Sequence, residues 1–139
     1  NDLIKKNSMS FDFKDKKILY VEDDPIATDI VNRIVSKLCK IDLVSNSKDT
    51  LQKVKVKKYD LILMDINLGK DMDGIELTAL IKEIPEYKNI PIVAITAFAR
   101  EEDVSEFLAK GMSYCITKPF KSKDLIELLE NIFSEINKK

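Results

Sequence analysis

Apolar residues along this chain form short unbroken runs that alternate with longer segments of helical spacing. Two runs of four, at 61–64 and 92–95, are typical of strands buried on both faces. Mixed runs predict three further strands at 17–22, 41–44 and 114–117. Parallel neighbours need crossover connections, so this alternation predicts an α/β fold: a doubly wound five-stranded parallel sheet with helices on both faces.

Helices are predicted between these strands. The first begins at Pro25 behind Asp24, because Asp is a good N-cap and Pro is favoured at the first helical position. Its expected buried face consists of isoleucine and leucine at i, i+4 spacing, widened by smaller residues: Ile26, Ile30, Ile34 and Leu38, with Ala27, Val31 and Val35. Ser47 is expected to cap the second helix and Gly111 to end the fourth.

The length of 139 residues indicates one domain. Residues 1–13 are polar and aperiodic and are interpreted as a linker or N-terminal arm, with the domain at 14–139.

The formal net charge of −1 gives no reason to expect nucleic-acid binding. No apolar run approaches the roughly 20 residues of a membrane helix, and the start is not a signal peptide, so we expect a cytoplasmic protein without membrane contact.

Two features of composition restrict the chemistry. The chain contains no histidine, which excludes an imidazole base or metal ligand from its own residues. Cys39 and Cys115 are expected to be small buried or half-buried thiols and not a disulfide.

Polar residues follow the predicted strands at their carboxyl ends, where open α/β sheets bind ligands. Glu22 and Asp23 follow the first strand, Asp65 the third, Thr96 the fourth and Lys118 the fifth. Three carboxylates at one edge repel each other unless a cation is present, and a hard divalent ion such as Mg²⁺ or Mn²⁺ suits oxygen ligands. An ammonium and a hydroxyl in addition suit a phosphoryl group, with Asp65 best placed as a nucleophile that forms an acyl phosphate.

Over residues 16–137 the sequence resembles the receiver domain of two-component response regulators, of which the chemotaxis regulators are examples. Five stretches in this order carry the resemblance: Ile18–Pro25, Leu63–Asn67, Asp73–Leu77, Ile95–Ala97 and Thr117–Phe120. The family implies the flavodoxin-like strand order 2-1-3-4-5 and a cis bond between Lys118 and Pro119.

The resemblance also implies roles for individual residues. Asp65 would accept phosphate from a phosphohistidine on a histidine kinase or a histidine phosphotransfer protein, and the domain would then switch a surface that binds a downstream protein. Mg²⁺ would be bound by Glu22, Asp23, Asp65 and the backbone carbonyl of Asn67. Thr96 and Lys118 would contact the phosphoryl oxygens. Asn67 and Phe98, two residues beyond Asp65 and Thr96, would set the lifetime of the phosphate. We expect a monomer or weak dimer.

The sequence departs from the family pattern at two places. The loop 68–72 is about two residues longer than usual, a length that recurs in receivers fused to sensor kinases. The chain also starts without Met, so we expect the C-terminal receiver of a hybrid histidine kinase; the alternative is a free-standing regulator.

The second departure is Cys115, which occupies the position of the usual aromatic switch residue that moves together with Thr96. Tyr114 next to it should face the opposite side of the sheet.

Three other interpretations remain open on sequence grounds. Asp65, Asn67, Gly69, Asp71, Asp73 and Glu76 fall at the ligand positions of an EF-hand loop, although Lys70 stands where Gly is needed. A phosphatase would need a general acid two residues beyond Asp65, where Asn67 stands. A receiver-like module that only binds partners would keep the fold without phosphorylation.

Overall fold

The computed structural model describes residues 12–69 and 72–137. Its sheet contains β1 (Lys17–Val21), β2 (Lys40–Val44), β3 (Leu61–Asp65), β4 (Ile92–Thr96) and β5 (Tyr114–Thr117). All neighbouring strands are parallel and the order is β2-β1-β3-β4-β5, which confirms the predicted fold and strand order. The bond between Lys118 and Pro119 is cis, as the resemblance implies.

In the described residues, four α-helices connect the strands and a fifth follows β5: α1 (Pro25–Val35), α2 (Ser47–Val56), α3 (Gly74–Lys82), α4 (Glu101–Ala109) and α5 (Ser122–Asn137), with a 3₁₀ turn at Pro85–Tyr87. Asp24 caps α1 as predicted, since its side chain accepts a hydrogen bond from the amide of Ile26. The cap of α2 is Asn46 and not Ser47, because the Asn46 side chain accepts from the amide of Asp49. Gly111 follows α4 with a φ of 105° that favours glycine.

The sheet has a buried layer on each face because successive strand residues point to opposite sides. One layer joins the sheet to α2, α3 and α4 and includes Val54, Leu77, Ile81 and Phe107. The other joins it to α1 and α5 and includes Val31, Val35, Leu125, Leu129, Ile132 and Phe133. The two layers leave the strand ends as the place where polar groups gather.

The predicted buried face of α1 is wrong in detail. Val31 and Val35 are buried as predicted, and Ile34 and Leu38 are partly buried against the same layer. Ile26 and Ile30, by contrast, are 72% and 52% exposed, and the helix ends at Val35. Residues at i, i+4 spacing share one stripe of a helix, and the stripe that contains Val31 and Val35 is rotated by about 100° from the stripe that contains Ile26 and Ile30. In α1 the valine stripe faces the sheet. An apolar strip of α1 therefore remains at the surface.

The predicted N-terminal arm of residues 1–13 lies outside the described residues except for its last two positions. Phe13 is buried, and its ring centroid lies 5.1 Å from that of Phe133 on α5. The packed body thus includes Phe13, and the boundary at residue 14 stays a prediction. Within the described part of the chain, no helix is both long and apolar enough to cross a membrane.

Candidate functional site

The ends of four strands bring the predicted site residues to one edge of the sheet. Glu22 follows β1, Asp65 and Thr96 close β3 and β4, and Lys118 follows β5. Ladder hydrogen bonds continue to these positions: the amide of Glu22 donates to Val44 O at 3.0 Å, and that of Lys118 to Thr96 O at 2.8 Å. The backbone around the site is therefore fixed by the sheet itself.

Three carboxylates converge at this edge. Glu22, Asp23 and Asp65 each offer an oxygen, and these oxygens lie within 4.8 Å of one another. Glu22 and Asp65 are buried whereas Asp23 is exposed. Burial raises the pKa of Glu22, the neighbouring Asp65 raises it further, and Lys118 acts in the opposite direction. Such a crowded all-oxygen set fits a hard divalent cation, which would remove the repulsion.

Lys118 links two of these acids. Its Nζ lies 3.1 Å from Glu22 Oε1 and 3.5 Å from Asp65 Oδ1. Burial alone would lower the pKa of the Lys118 ammonium, but the two carboxylates outweigh burial and raise the pKa. Lys118 is therefore a permanent cation beside Asp65.

Thr96 and the segments after β3 and β4 complete the site. Thr96 is buried, and its Oγ1 accepts a hydrogen bond from the amide of Phe98 at 3.1 Å. Asp65 Oδ1 accepts from the amide of Asn67 at 3.2 Å. The Phe98 ring is 60% exposed, with the guanidinium carbon of Arg100 5.4 Å from its centroid. Thr96 is thus held next to a loop whose Phe98 ring faces solvent.

Sequence reasoning missed Tyr20 at this site. Its hydroxyl donates to Glu22 Oε1 at 3.1 Å, and the side chain is buried within β1. Burial, followed by the charge of Glu22, raises the pKa of Tyr20 far above its usual value. Tyr20 and Glu22 are two residues apart on an extended chain and so face the same side, and this spacing was the signal that could have revealed the pair.

Gly74 at the start of α3 was quoted as part of a motif without a physical reason. A Cβ at this position would overlap the carbonyl oxygen of Asp65, and the Gly74 amide donates to Ile66 O at 3.0 Å. Glycine therefore lets α3 begin directly against the end of β3. Asp73 and Glu76 form a capping box at the same helix start.

These contacts contradict the EF-hand interpretation. The segment before Asp65 is strand β3, where an EF-hand needs a helix. The side chains of Asp73 and Glu76 are bonded to each other's backbone amides, at 2.8 Å and 3.4 Å, and thus serve the start of α3.

Both cysteines are free thiols, as expected. Cys39 is buried, and burial raises the pKa of its thiol to about 11. Cys115 is half-buried and packs against the layer beneath α2, α3 and α4, while Tyr114 packs on the opposite layer. The expectation that Tyr114 faces away from Cys115 is confirmed.

The chain is similar to receiver domains both by family model and by sequence. The family model of the response regulator receiver domain matches residues 18–130. The chain is 31% identical to the transcription factor SKN7 of Chaetomium thermophilum, over 96% of this chain and 18% of that protein. It is 40% identical to hybrid signal transduction histidine kinase G of Dictyostelium discoideum, over 78% of this chain but only 3% of that protein.

A solved structure shows the same architecture. The receiver domain of the sensor histidine kinase PA1611 from Pseudomonas aeruginosa, crystallised with a magnesium ion in its active-site cleft, is similar with a TM-score of 0.76 and 30% identity; the match covers 84% of this chain and 96% of that one. The chain thus spans nearly all of an isolated receiver but less than a fifth of the two curated relatives above. This chain belongs to the response regulator receiver domain family of two-component systems and has the phosphoacceptor role of that family.

Proposed function

We propose that Asp65 is the residue that receives the phosphoryl group. One observation carries this assignment: Asp65 is buried at the end of β3, 3.5 Å from the Lys118 ammonium, with two further carboxylates within 4.8 Å. Glu22 is already engaged by Tyr20 and Lys118, and Asp23 is exposed, so Asp65 is the carboxylate that the surrounding charges best prepare for attack.

The same acids support a cation site for Mg²⁺ or Mn²⁺. Glu22, Asp23 and Asp65, with the backbone carbonyl of Asn67, would hold the ion. The ion would supply positive charge that neutralises the phosphoryl oxygens during transfer. The magnesium ion in the cleft of the related PA1611 receiver supports this choice of metal.

The transfer step follows from the positions of the side chains. An Asp65 carboxylate oxygen attacks phosphorus, the P–N bond of a phosphohistidine breaks, and its electron pair returns to the donor imidazole. The Thr96 hydroxyl donates to a phosphoryl oxygen, and Lys118 compensates its negative charge. The donor histidine must belong to another domain because this chain contains none. The acyl phosphate is later hydrolysed in place, so the domain acts as a signalling acceptor with weak self-phosphotransfer and self-dephosphorylation, not as an enzyme with a separate substrate.

The surface beside the site supports docking of a protein donor, either a histidine kinase or a histidine phosphotransfer protein. The exposed Ile30 of α1 borders a cavity of about 430 Å³ that also touches Lys118 and Phe120, and the exposed Ile26 lies one turn earlier on the same helix. An apolar strip next to a charged site suits a partner that must be held while transfer occurs. The downstream target is a second protein that reads the phosphorylated surface.

The cellular context is part of the same proposal. The domain is the receiver portion of a hybrid histidine kinase in the cytoplasm, monomeric or weakly dimeric, and without a nucleic-acid partner. The identity to a hybrid kinase of Dictyostelium supports the fusion, and the near balance of charge supports the absence of nucleic-acid binding.

Incubation with acetyl phosphate and Mg²⁺ tests the proposed acceptor. Intact-mass measurement should show one added phosphate on the parent chain, none on Asp65→Asn, and none on the parent in EDTA. Asp60→Asn is the matched control, because Asp60 lies at the opposite end of β3 and its bond to the Lys17 amide needs only an acceptor oxygen. Labelling of Asp65→Asn would overturn the acceptor assignment, and labelling in EDTA would overturn the role of the cation.

A further inference from the structure

Tyr20 is a buried phenol beside the cation site, and it has no part in the transfer step described above. We propose that Tyr20 is a positioning residue for the divalent cation and acts by fixing the carboxylate of Glu22. This inference rests on the proposed function, since it takes Glu22 to be one of the groups that hold the ion.

The carboxylate of Glu22 is held through both of its oxygens. Oε1 accepts from the Tyr20 hydroxyl and from Lys118 Nζ, each at 3.1 Å, and Oε2 accepts from the amide of Asp24 at 3.3 Å. The Glu22 side chain is only 2% exposed, so water contributes little to its position. Its orientation is therefore set by these three donors.

The three donors are not equivalent. Lys118 is shared, because its Nζ also lies 3.5 Å from Asp65 Oδ1. When Lys118 turns toward a phosphoryl group on Asp65, its hold on Glu22 weakens. The Tyr20 hydroxyl contacts no second carboxylate in the described part of the chain, so it continues to hold Glu22 throughout the transfer.

The ring of Tyr20 is buried in the core. It is 1% exposed and packs in the layer between the sheet and helices α1 and α5. A tyrosine has only two side-chain torsions, and burial restricts both, so its hydroxyl is a donor at a defined point. The core of the domain thus sets the geometry of the cation site through one oxygen atom.

Removal of that oxygen in Tyr20→Phe tests the proposal. Isothermal titration with MgCl₂ should give a Kd for Mg²⁺ about three- to tenfold higher than that of the parent, the effect of losing one ordinary hydrogen bond, because Tyr20 orients a group that holds the ion and does not hold the ion itself. Tyr59→Phe is the matched control, because the Tyr59 hydroxyl also donates to a carboxylate oxygen, Asp42 Oδ2 at 2.5 Å. Tyr59 precedes β3 and therefore lies at the end of the sheet opposite to the cation site. This control should leave the Kd unchanged.

Glu22→Gln separates failure of this inference from failure of the proposed function. If Glu22→Gln binds Mg²⁺ as the parent does, the proposed cation site is wrong. If Glu22→Gln weakens binding but Tyr20→Phe does not, the site stands and the role of Tyr20 is refuted. The double variant should bind no more weakly than Glu22→Gln alone, and a further loss would show that Tyr20 acts by another route.

Thermal unfolding without Mg²⁺ shows whether Tyr20→Phe is folded. If it is not, the ring ¹³Cζ signals of the ¹³C-tyrosine-labelled parent chain decide the question. Addition of Mg²⁺ should shift the signal of Tyr20 and leave that of Tyr59 in place. An unmoved Tyr20 signal would contradict the coupling between the phenol and the cation.

Discussion

At the scale of single residues, Phe98 is predicted to affect the lifetime of the phosphate on Asp65. Its amide is bonded to Thr96 Oγ1 and its ring is 60% exposed. A bulky apolar ring offers no hydrogen bond to an attacking water and obstructs its approach. Phe98→Asn or Phe98→Glu should therefore shorten the half-life of the phosphorylated form, measured as loss of the added phosphate with time.

Phe98→Leu is the matched control for that experiment. It removes the ring and its contact with Arg100 as the polar variants do, but it keeps the position apolar. We expect its half-life to stay closer to that of the parent. A half-life that is unchanged or longer in Phe98→Asn would refute the role given to Phe98.

A second residue-scale prediction concerns pH and the pair formed by Asp42 and Tyr59. The hydrogen bond from Tyr59 is the largest influence that lowers the pKa of Asp42, with Lys57 at 3.1 Å as a further cause. A carboxyl whose folded pKa lies below the unfolded value near 3.9 stabilises the fold above that value and loses this contribution as pH falls through the folded pKa.

Asp42→Asn should therefore lower the free energy of unfolding at pH 7 by about 1 kcal/mol. The difference from the parent should shrink as the pH falls below about 3.9. Urea unfolding at several pH values measures both effects. Asp29→Asn is the control, because its pair with Arg33 is exposed on both sides and should contribute little. A pH-independent deficit in Asp42→Asn would contradict the electrostatic explanation.

The sequence predicted the residues whose place depends only on the direction of a strand. Asp65, Thr96 and Lys118 come at strand ends, and parallel strands bring such ends together. Tyr20 and Gly74 were missed or left unexplained because their roles depend on atomic approach. A phenol in an apolar run looks like ordinary core, and only the packed structure shows that a Cβ at residue 74 would meet the backbone of Asp65.

At the scale of elements, α1 shows where a hydrophobic pattern is ambiguous. Ile26 and Ile30 form one apolar stripe and Val31 and Val35 a neighbouring one, and periodicity alone does not decide which faces the sheet. The smaller valines pack against the sheet, whereas Ile26 and Ile30 remain at the surface, with Ile30 beside Lys118 and Phe120. A larger apolar surface than the fold itself requires is typical of a docking face.

This face gives a prediction for α1. Ile30→Ser should slow transfer from a phosphorylated histidine phosphotransfer domain by up to about tenfold, the effect of truncating a well-packed interface residue. It should leave labelling by acetyl phosphate unchanged, because the small donor needs no docking surface. Both rates can be followed by intact-mass measurement.

Val56→Ser is the matched control for Ile30→Ser. Val56 is another exposed β-branched apolar residue, 79% exposed, but it lies on α2. We expect both of its rates to match those of the parent. Equal slowing by the two variants, or slowing of the acetyl phosphate reaction in Ile30→Ser, would contradict a specific docking role for α1.

At the scale of the whole molecule, the alternation of strands and helices was enough to predict the sheet, since each parallel pair requires a crossover. The strand order, which only the family resemblance implied, is confirmed as well. How the two faces of the sheet respond to phosphate does not follow from that alternation, because the response depends on the space behind β4 and β5. Cys115 lies there, half-buried beside Ala94 and against the layer of α2, α3 and α4.

Phosphate on Asp65 should draw the Thr96 hydroxyl toward it and leave space behind β4, which an aromatic ring fills in most receivers. Cys115 is far smaller than such a ring. At ~25 cal/mol per Å² of buried apolar area, the missing contribution to the active state could reach about 1–2 kcal/mol. Each 1.4 kcal/mol shifts a two-state equilibrium roughly tenfold, so the active surface of this domain should be less fully populated than in those relatives.

We therefore predict a muted rearrangement of α4 and β5, with the main response in the loops that follow Asp65 and Thr96. Tyr114 is poorly placed to compensate, because it packs on the opposite face of the sheet. Amide-exchange maps of the parent and of Cys115→Tyr, with and without a phosphoryl mimic, measure the response. Cys115→Tyr should extend the protected region along residues 101–109 and 114–117, because the added ring can occupy the space that Thr96 vacates. Large changes along these segments in the parent, insensitive to Cys115→Tyr, would show that another residue such as Phe98 drives the switch.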